Sequence, residues 1–394
     1  VYLINTCSVT NMADKKSRQM IHRAKKLNPD AVVIAAGCYV QAAKDKLMED
    51  DRISIIIGNN KKKDIVQILE DYLEIGVTDE GMLDIAAEKE YEPLTINSTL
   101  EHTRAYVKIQ DGCNQFCSYC IIPYVRGRIR SRELASITEE VERLAQTGVK
   151  EIVLTGIHIS SYGKDKENEV GLADVIDAIS KIESIERIRL GSLEPGIITD
   201  TFIDRIVDNK KVCPHFHLSL QSGCNTVLKR MNRKYTCEEY FEKCEMLRKA
   251  FDRPALTTDV IVGFPGETDE EFQETVDYLT KLNLYEMHIF KFSPRQGTVA
   301  AGMRDQIGPE IKNQRSDVLL ALSEKNKHAY EASFRGETLE VLIEEKVRRN
   351  GKDGYRGHTE RYIDIFVEEE CMHRICGREV DIINHIVQIP YGME

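Results

Sequence analysis

The chain has 394 residues, 42% of them apolar, and its 54 Lys and Arg stand against 65 Asp and Glu for a net charge of −11. That length predicts two or three domains; no apolar run approaches the roughly 18 residues of a membrane helix, and the acidic balance excludes a global positive field, leaving any RNA contact to local basic patches. The eleven cysteines are odd in number and scattered, which argues against a disulfide framework and for a reducing cytoplasm.

In residues 1–75, short apolar runs at Val1–Asn5, Ala31–Ala36 and Ile53–Ile57 alternate with helical stretches at Met12–Leu27, Gln41–Met48 and Lys61–Tyr72. This alternation predicts an α/β domain of the flavodoxin or Rossmann kind, a parallel sheet with crossover helices. The first run starts at residue 1, so the chain is expected to begin inside this domain, with its start missing. Cys7 and Cys38 follow two strand ends. Ligands of open α/β sheets bind outside the carboxyl ends of the strands, so both thiols could face one crevice; two buried structural cysteines is the plainer reading. Lys15, Lys16, Arg18, Arg23, Lys25 and Lys26 share the first helix and offer either an RNA-guiding face or a solvated one. The acidic, weakly patterned stretch 76–104 reads as a linker.

Residues 105–333 repeat strand and helix six times, with strands expected at Ala105–Gln110, Glu151–Gly156, Arg187–Ser192, His215–Leu220, Leu256–Phe264 and Tyr285–Ser293. Six such units with right-handed crossovers make a partial (β/α)6 barrel. Three helices carry S/T-x-x-E capping boxes, at Ser136 with Glu139, Thr236 with Glu239 and Thr268 with Glu271. In residues 334–394 alternating runs at Thr338–Ile343, Tyr362–Val367 and Glu379–Ile389 predict a small β-barrel. A basic loop is expected between the first two, with Lys346, Arg348, Arg349, Lys352, Arg356 and Arg361 around Tyr355 and His358. Such a loop suits phosphates and stacked bases, or is a solvated hairpin loop.

The densest chemistry follows the first barrel strand, where Cys113, Cys117 and Cys120 read C-N-Q-F-C-S-Y-C. The C-x3-C-x2-C spacing supplies three thiolates where a cubane iron–sulfur cluster has four irons, leaving one iron open to a ligand, as reactive metal sites do. A structural zinc or disulfide site is the alternative, although zinc sites usually pair two C-x2-C motifs and only one is present. The loop falls at the carboxyl end of the barrel, where barrel chemistry sits. The same end gathers Thr155-Gly156, Ser192 and Glu194, His217 to Gly223 including Gln221, the run from Thr258 to Glu267, and Phe292 to Arg295. Arg126, Arg128, Arg130 and Arg132 alternate just after the cysteines, placed either to grip anions or to pair with acids.

Taken in order, the motifs N-T-C-S-V-T, A-A-G-C-Y, D-G-C-N-Q-F-C-S-Y-C-I-I-P, G-S-L-E-P, L-Q-S-G and G-F-P-G-E-T resemble the methylthiotransferase family of radical S-adenosylmethionine (SAM) enzymes over essentially the whole chain. The segments from Asn5 to Ala24 and from Leu154 to Gly163 are most similar to the branch acting on tRNA N6-threonylcarbamoyladenosine. The resemblance implies a methylthio group added to C2 of that adenine, beside the anticodon, through a 5′-deoxyadenosyl radical and an auxiliary [4Fe-4S] cluster. It implies that Cys113, Cys117 and Cys120 hold the SAM-binding [4Fe-4S] cluster, that Tyr119 lies against SAM, and that Thr155, Gly156, Ser192, Glu194 and Gln221 line the SAM pocket. Cys7 and Cys38 become two of three ligands of the auxiliary cluster; the third is expected on a strand before Val1, so the cluster is incomplete in this chain. The C-terminal barrel resembles the RNA-binding TRAM domain. A cytoplasmic monomer served by an electron donor such as flavodoxin or ferredoxin is implied. The alternatives are the same chemistry on isopentenyl-adenosine tRNA or on a ribosomal-protein aspartate, a radical SAM enzyme without sulfur chemistry, and an RNA-binding protein whose cluster is structural.

Overall fold

A computed structural model describes residues 1–8, 10–76, 81–95, 103–167, 170–377 and 382–392. The N-terminal sheet holds β1 (Tyr2–Thr6), β2 (Val33–Gly37) and β3 (Ile55–Ile57), all parallel and in that order. Every residue of β2 is buried because helices cover both faces. Ile21 and Ala24 of helix Asn11–Leu27 pack with Val33 and Ala35, while Ile65, Ile68 and Leu69 of helix Ile65–Ile75 pack against Ile34, Ala36, Ile55 and Ile57. That helix ends on Gly76 in a left-handed conformation, the usual C-cap.

The central region builds β4 (Arg104–Asp111), β5 (Arg130–Ser131), β6 (Glu151–Gly156) and β7 (Arg187–Leu190) in the order β5-β4-β6-β7. A second sheet holds β8 (His215–His217), β9 (Ala255–Val262) and β10 (Glu286–Lys291) in the order β10-β9-β8. Parallel bridges Ile188 to Val212 and Leu193 to Leu218 join the two. Only β5 runs antiparallel; the other six strands are parallel neighbours, which is the expected partial barrel. One large core lies between these strands and their helices, from Val107 and Ile152 to Val260 and Leu279. The C-terminal sheet is antiparallel, with β11 (Thr338–Arg349), β12 (Lys352–Thr359), β13 (Asp364–Glu368) and β14 (Ile386–Pro390) in the order β13-β12-β11-β14.

Four expectations need correction. Thr236 with Glu239 and Thr268 with Glu271 form capping boxes, but Ser136 does not. Its helix starts at Leu134 behind Glu133, and the Ser136 hydroxyl instead takes hydrogen bonds from Arg132. The fourth barrel strand stops at His217, short of the expected Leu220; beyond it Leu218 and Gln221 make only isolated bridges, Gln221 with a left-handed φ of 77°. The basic segment is a hairpin, as one of its two readings had it, but its cations stand on strands instead of in a loop: Lys346, Arg348 and Arg349 on β11 and Lys352 and Arg356 on β12, closed by Asn350 and Gly351 with φ 50° and 82°. An Asn-Gly pair with both φ positive is the standard two-residue hairpin turn. Its cations mostly have acidic partners, Lys346 with Glu369, Lys352 with Glu368, and Arg356 with Asp364 and Glu345. The stretch 76–104 lies partly outside the described residues, as does the start of the run Glu379–Ile389. Within 81–95 it is packed: Gly81 bridges to Ile57, Ile85 and Glu92 are buried, and the Tyr91 hydroxyl donates to the Lys108 carbonyl.

Candidate iron–sulfur and SAM site

The cysteine loop springs from the carboxyl end of β4. Gln110 donates from Nε2 to the carbonyls of Asp111 and Gly112, both at 2.7 Å. Gly112 has φ 73°, and a Cβ there would fall 1.7 Å from the Arg128 carbonyl oxygen, so no side chain fits. On its far side the loop is tied to the segment after β8: Ser118 bonds the carbonyls of Met231 and Arg230, and Asn232 donates to the carbonyl of Phe116, itself at φ 50°. A left-handed aromatic residue is strained, and it persists here because both flanks are pinned.

Cys117 is buried, with Cys113 and Cys120 half-buried. Burial raises the Cys113 thiol and pushes Cys120 up to about 12, and the neighbouring sulfurs add to both shifts. Such thiols give up their protons when a metal centre replaces them. Among the described residues the one Cys, His, Asp and Glu trio with ligand atoms within 4.8 Å of one another lies elsewhere. Three thiols on one loop are also one ligand short of the four that a structural tetrahedral zinc site takes. The donor set fits a polynuclear iron–sulfur cluster.

A polar network adjoins Cys117. The Arg233 guanidinium donates to its sulfur at 3.2 Å and lies 3.3 Å from Glu194. Glu194 also accepts from Gln115 at 2.6 Å and meets His158 Nε2 at 3.0 Å. Burial pushes the Glu194 carboxyl up, but His158 and Arg233 outweigh it and hold it below its ordinary value. Thr155 and Gly156 end β6 beside Gln110, whose Oε1 accepts from the His158 amide. Ser192 is exposed. Gln221 is buried, and its strained backbone is held by exchanged bonds with Asp259 and Ile261 of β9. Tyr119 meets Phe264 edge to face at 6.5 Å. Sequence reasoning missed Gln115, His158 and Arg233: each is a polar residue in a loop, with no period or spacing to mark it.

The register of β1 on β2 pairs Thr6 with Gly37, so Cys7 and Cys38 leave adjacent strand ends. Cys7 is exposed and Cys38 buried. Cys38 packs on Ile121 and Val125, just past Cys120. It is not a plain core thiol, because Arg126 donates from Nε to its sulfur at 3.0 Å and from Nη1 to Asp111 at 3.2 Å. Asn59 donates to the Val125 carbonyl at 2.6 Å and reaches the same sulfur at 3.6 Å. Arg126 thus joins the Cys38 strand end to the root of the Cys113 loop. Of the other alternating arginines, Arg130 and Arg132 are buried, Arg132 against Glu140, and Arg128 lies over the Phe116 ring at 4.5 Å. Arg295 ties the end of the sixth strand to Ser8 and Asp14. Between these parts opens a cavity of about 560 Å³ lined by Arg18, Tyr39, Tyr124 and Arg295.

A six-strand partial barrel with this loop at its carboxyl mouth defines a radical SAM enzyme, and residues 107–279 match the Radical SAM superfamily. Residues 1–58 match a family described as Uncharacterized protein family UPF0004. The chain is 40% identical to the threonylcarbamoyladenosine tRNA methylthiotransferase MtaB of Bacillus subtilis, over 99% of this chain and 84% of that protein. It is 40% identical to MtaB of Aquifex aeolicus, over 93% and 87%, and 37% identical to the tRNA-2-methylthio-N(6)-dimethylallyladenosine synthase of Thermoanaerobacter pseudethanolicus, over 96% and 82%. Among solved structures, the radical SAM methyltransferase TsrM of Kitasatospora setae shares the fold with a TM-score of 0.58 at 17% identity, over 76% of this chain and 62% of that one. The chain belongs to the tRNA methylthiotransferase family of radical SAM enzymes. It is accordingly a transferase whose cofactors are SAM and [4Fe-4S] clusters. No helix among the described residues is long and apolar enough to cross a membrane.

Proposed function

We propose that this chain adds a methylthio group to C2 of N6-threonylcarbamoyladenosine beside the tRNA anticodon, with Cys113, Cys117 and Cys120 holding the SAM-binding cluster and Cys7 and Cys38 contributing to an auxiliary one. The observation that carries the reading is the junction at Arg126, which bonds the Cys38 sulfur and reaches Asp111 two residues before Cys113. Sulfur transfer needs both thiol sets to serve one substrate atom, and this junction brings their two strand ends together. An aromatic C–H is beyond ordinary general bases; the bound cluster and SAM supply the one-electron chemistry that removes its hydrogen.

The residues of the chain do the positioning. Gln110 and the Gly112 turn aim the cysteine loop at the barrel mouth. Arg233 places positive charge on Cys117 and orients Glu194, which with His158 and Gln115 presents a polar wall to the amino and carboxylate groups of SAM. Tyr119, Thr155, Gly156, Ser192 and Gln221 complete that pocket. The grouping of the sheets supports a division into 1–75, a linker at 76–104, 105–333 and 334–394, with 334–394 acting as a TRAM-like contact for tRNA. A monomer in a reducing cytoplasm, fed by a flavodoxin- or ferredoxin-class donor, completes the reading.

The substrate choice rests on the 40% identity to two threonylcarbamoyladenosine enzymes. Mass spectrometry of tRNA nucleosides tests it, in cells lacking the native activity and complemented with the full-length gene. The expected product is 2-methylthio-N6-threonylcarbamoyladenosine. Its absence, with threonylcarbamoyladenosine present and the protein expressed, overturns the reading; a methylthio group on isopentenyl-adenosine instead reassigns the substrate.

A further inference from the structure

His217, Asp259 and His288 stand on three neighbouring barrel strands, apart from the cysteine loop. Their neighbours in sequence show where they face. Leu218, Val260 and Met287 lie in the core between strands and helices, and strand side chains alternate, so all three residues point into the lumen. Register pairs His288 with Asp259 directly, and His217 with Thr257 two residues back on the same face. The two imidazoles stack at 5.4 Å, and the carboxylate meets each: His288 Nδ1 lies 3.2 Å from Oδ1 and His217 Nε2 lies 3.4 Å from Oδ2. One ligand atom from each residue falls within 4.8 Å of the other two.

A carboxylate bridging two imidazoles by hydrogen bonds is the simpler account, and one atom speaks against it. His217 is 8% exposed, and its Nε2, buried beside Asp259, reaches Oδ2 only at 3.4 Å and has no other hydrogen-bond partner. On the other side of the ring, Nδ1 contacts the Thr257 hydroxyl at 3.0 Å. The Thr257 hydroxyl, which also lies 3.4 Å from His215 Nε2, can accept from Nδ1–H of His217; in that tautomer Nε2 carries a free lone pair, and ligating histidines are oriented by such outer contacts. Two imidazoles and one carboxylate are a borderline donor set suited to zinc-like ions, and three protein ligands leave a coordination position open.

We propose that His217, Asp259 and His288 form a lumenal site for one divalent transition-metal ion of the zinc class, separate from the iron–sulfur ligands, with its open position facing the barrel interior. The test uses the full chain with its iron–sulfur clusters reconstituted, so that the cysteines are occupied, then equilibrated with Zn²⁺ and desalted. Elemental analysis is expected to find one zinc per chain, falling at least about 10-fold in His288→Ala with iron unchanged. Zinc X-ray absorption is expected to show nitrogen and oxygen neighbours at about 2.0–2.1 Å and no sulfur. A His288→Cys variant guards against misfolding, since it keeps the ion and adds one sulfur neighbour at about 2.3 Å. No retained zinc, equal zinc in wild type and His288→Ala, or sulfur around the wild-type ion each overturns the proposal.

Discussion

The two ends of the barrel use similar residues to opposite ends. At the mouth, Arg233, Glu194 and His158 surround Cys117 and lie beside half-buried thiols. At the base, Arg187, Arg189 and Glu151 are 4%, 3% and 1% exposed, and the C-terminal sheet seals them. Arg189 is bidentate on Glu151 and donates to the carbonyls of Thr359 and Glu360; Arg187 donates to those of His358 and Glu340. Tyr362, at φ 66°, sits against the guanidinium groups of Arg104 and Arg189 at 5.2 and 4.9 Å and stacks on His215 and His358. What separates a site from a structural ion cluster is therefore what covers it. Backbone carbonyls and an aromatic ring cover the base, whereas at the mouth Cys113, Cys120 and Glu194 stay partly open.

The sharpest break in this comparison is Cys117→Ala. It is expected to abolish binding of the SAM cluster, read as lost iron and no 5′-deoxyadenosine from SAM and reductant, while urea unfolding moves little. A large stability loss would make the mouth a structural centre like the base. Glu151→Gln should do the reverse, destabilising by about 3–5 kcal/mol because it leaves buried arginines unpaired, with cluster content per folded molecule kept. Burial pushes the Glu151 carboxyl up, but Arg189, Arg187 and Arg104 outweigh it and hold it below its ordinary 4.5. Its contribution is therefore complete above that value and is lost as pH falls through the lower folded value. Stability measured against pH should show a shallower acid limb in the variant.

Smaller effects refine the contrast. Arg233→Gln is expected to cost about 10–100-fold in turnover, the usual scale for a partner of a metal ligand, with weaker SAM binding and near-normal stability. Turnover equal to wild type would remove Arg233 from the mouth. Tyr362→Ala should cost about 1–2 kcal/mol through lost cation–π and stacking contacts, read as a lower urea midpoint with unchanged activity per folded molecule. A fall in activity without a stability change would show that the base communicates with the mouth.

Much of this was legible in residues alone. The cysteine spacing, the six strand–helix repeats and two of three capping boxes are local signals, set by covalent spacing and by hydrogen bonds a few residues apart. The Asn350-Gly351 turn was equally local, but both readings of the basic segment made it a loop, where two strands run up to that turn. The loop residues Arg233, His158 and Gln115 carry no periodic signal, and their roles appear only when segments some 40 to 120 positions apart converge.

By itself the sequence determined the fold class, the three thiols of the loop and the chemistry they imply, because those depend on pattern and spacing. Only the tertiary structure decided which charges serve a site. Arg126 was one of four alternating arginines until folding set it between Cys38 and Asp111, and the hairpin cations were a free basic patch until acids from neighbouring elements paired them. A charge acts through what lies within a few ångströms of it, and chain order does not specify that.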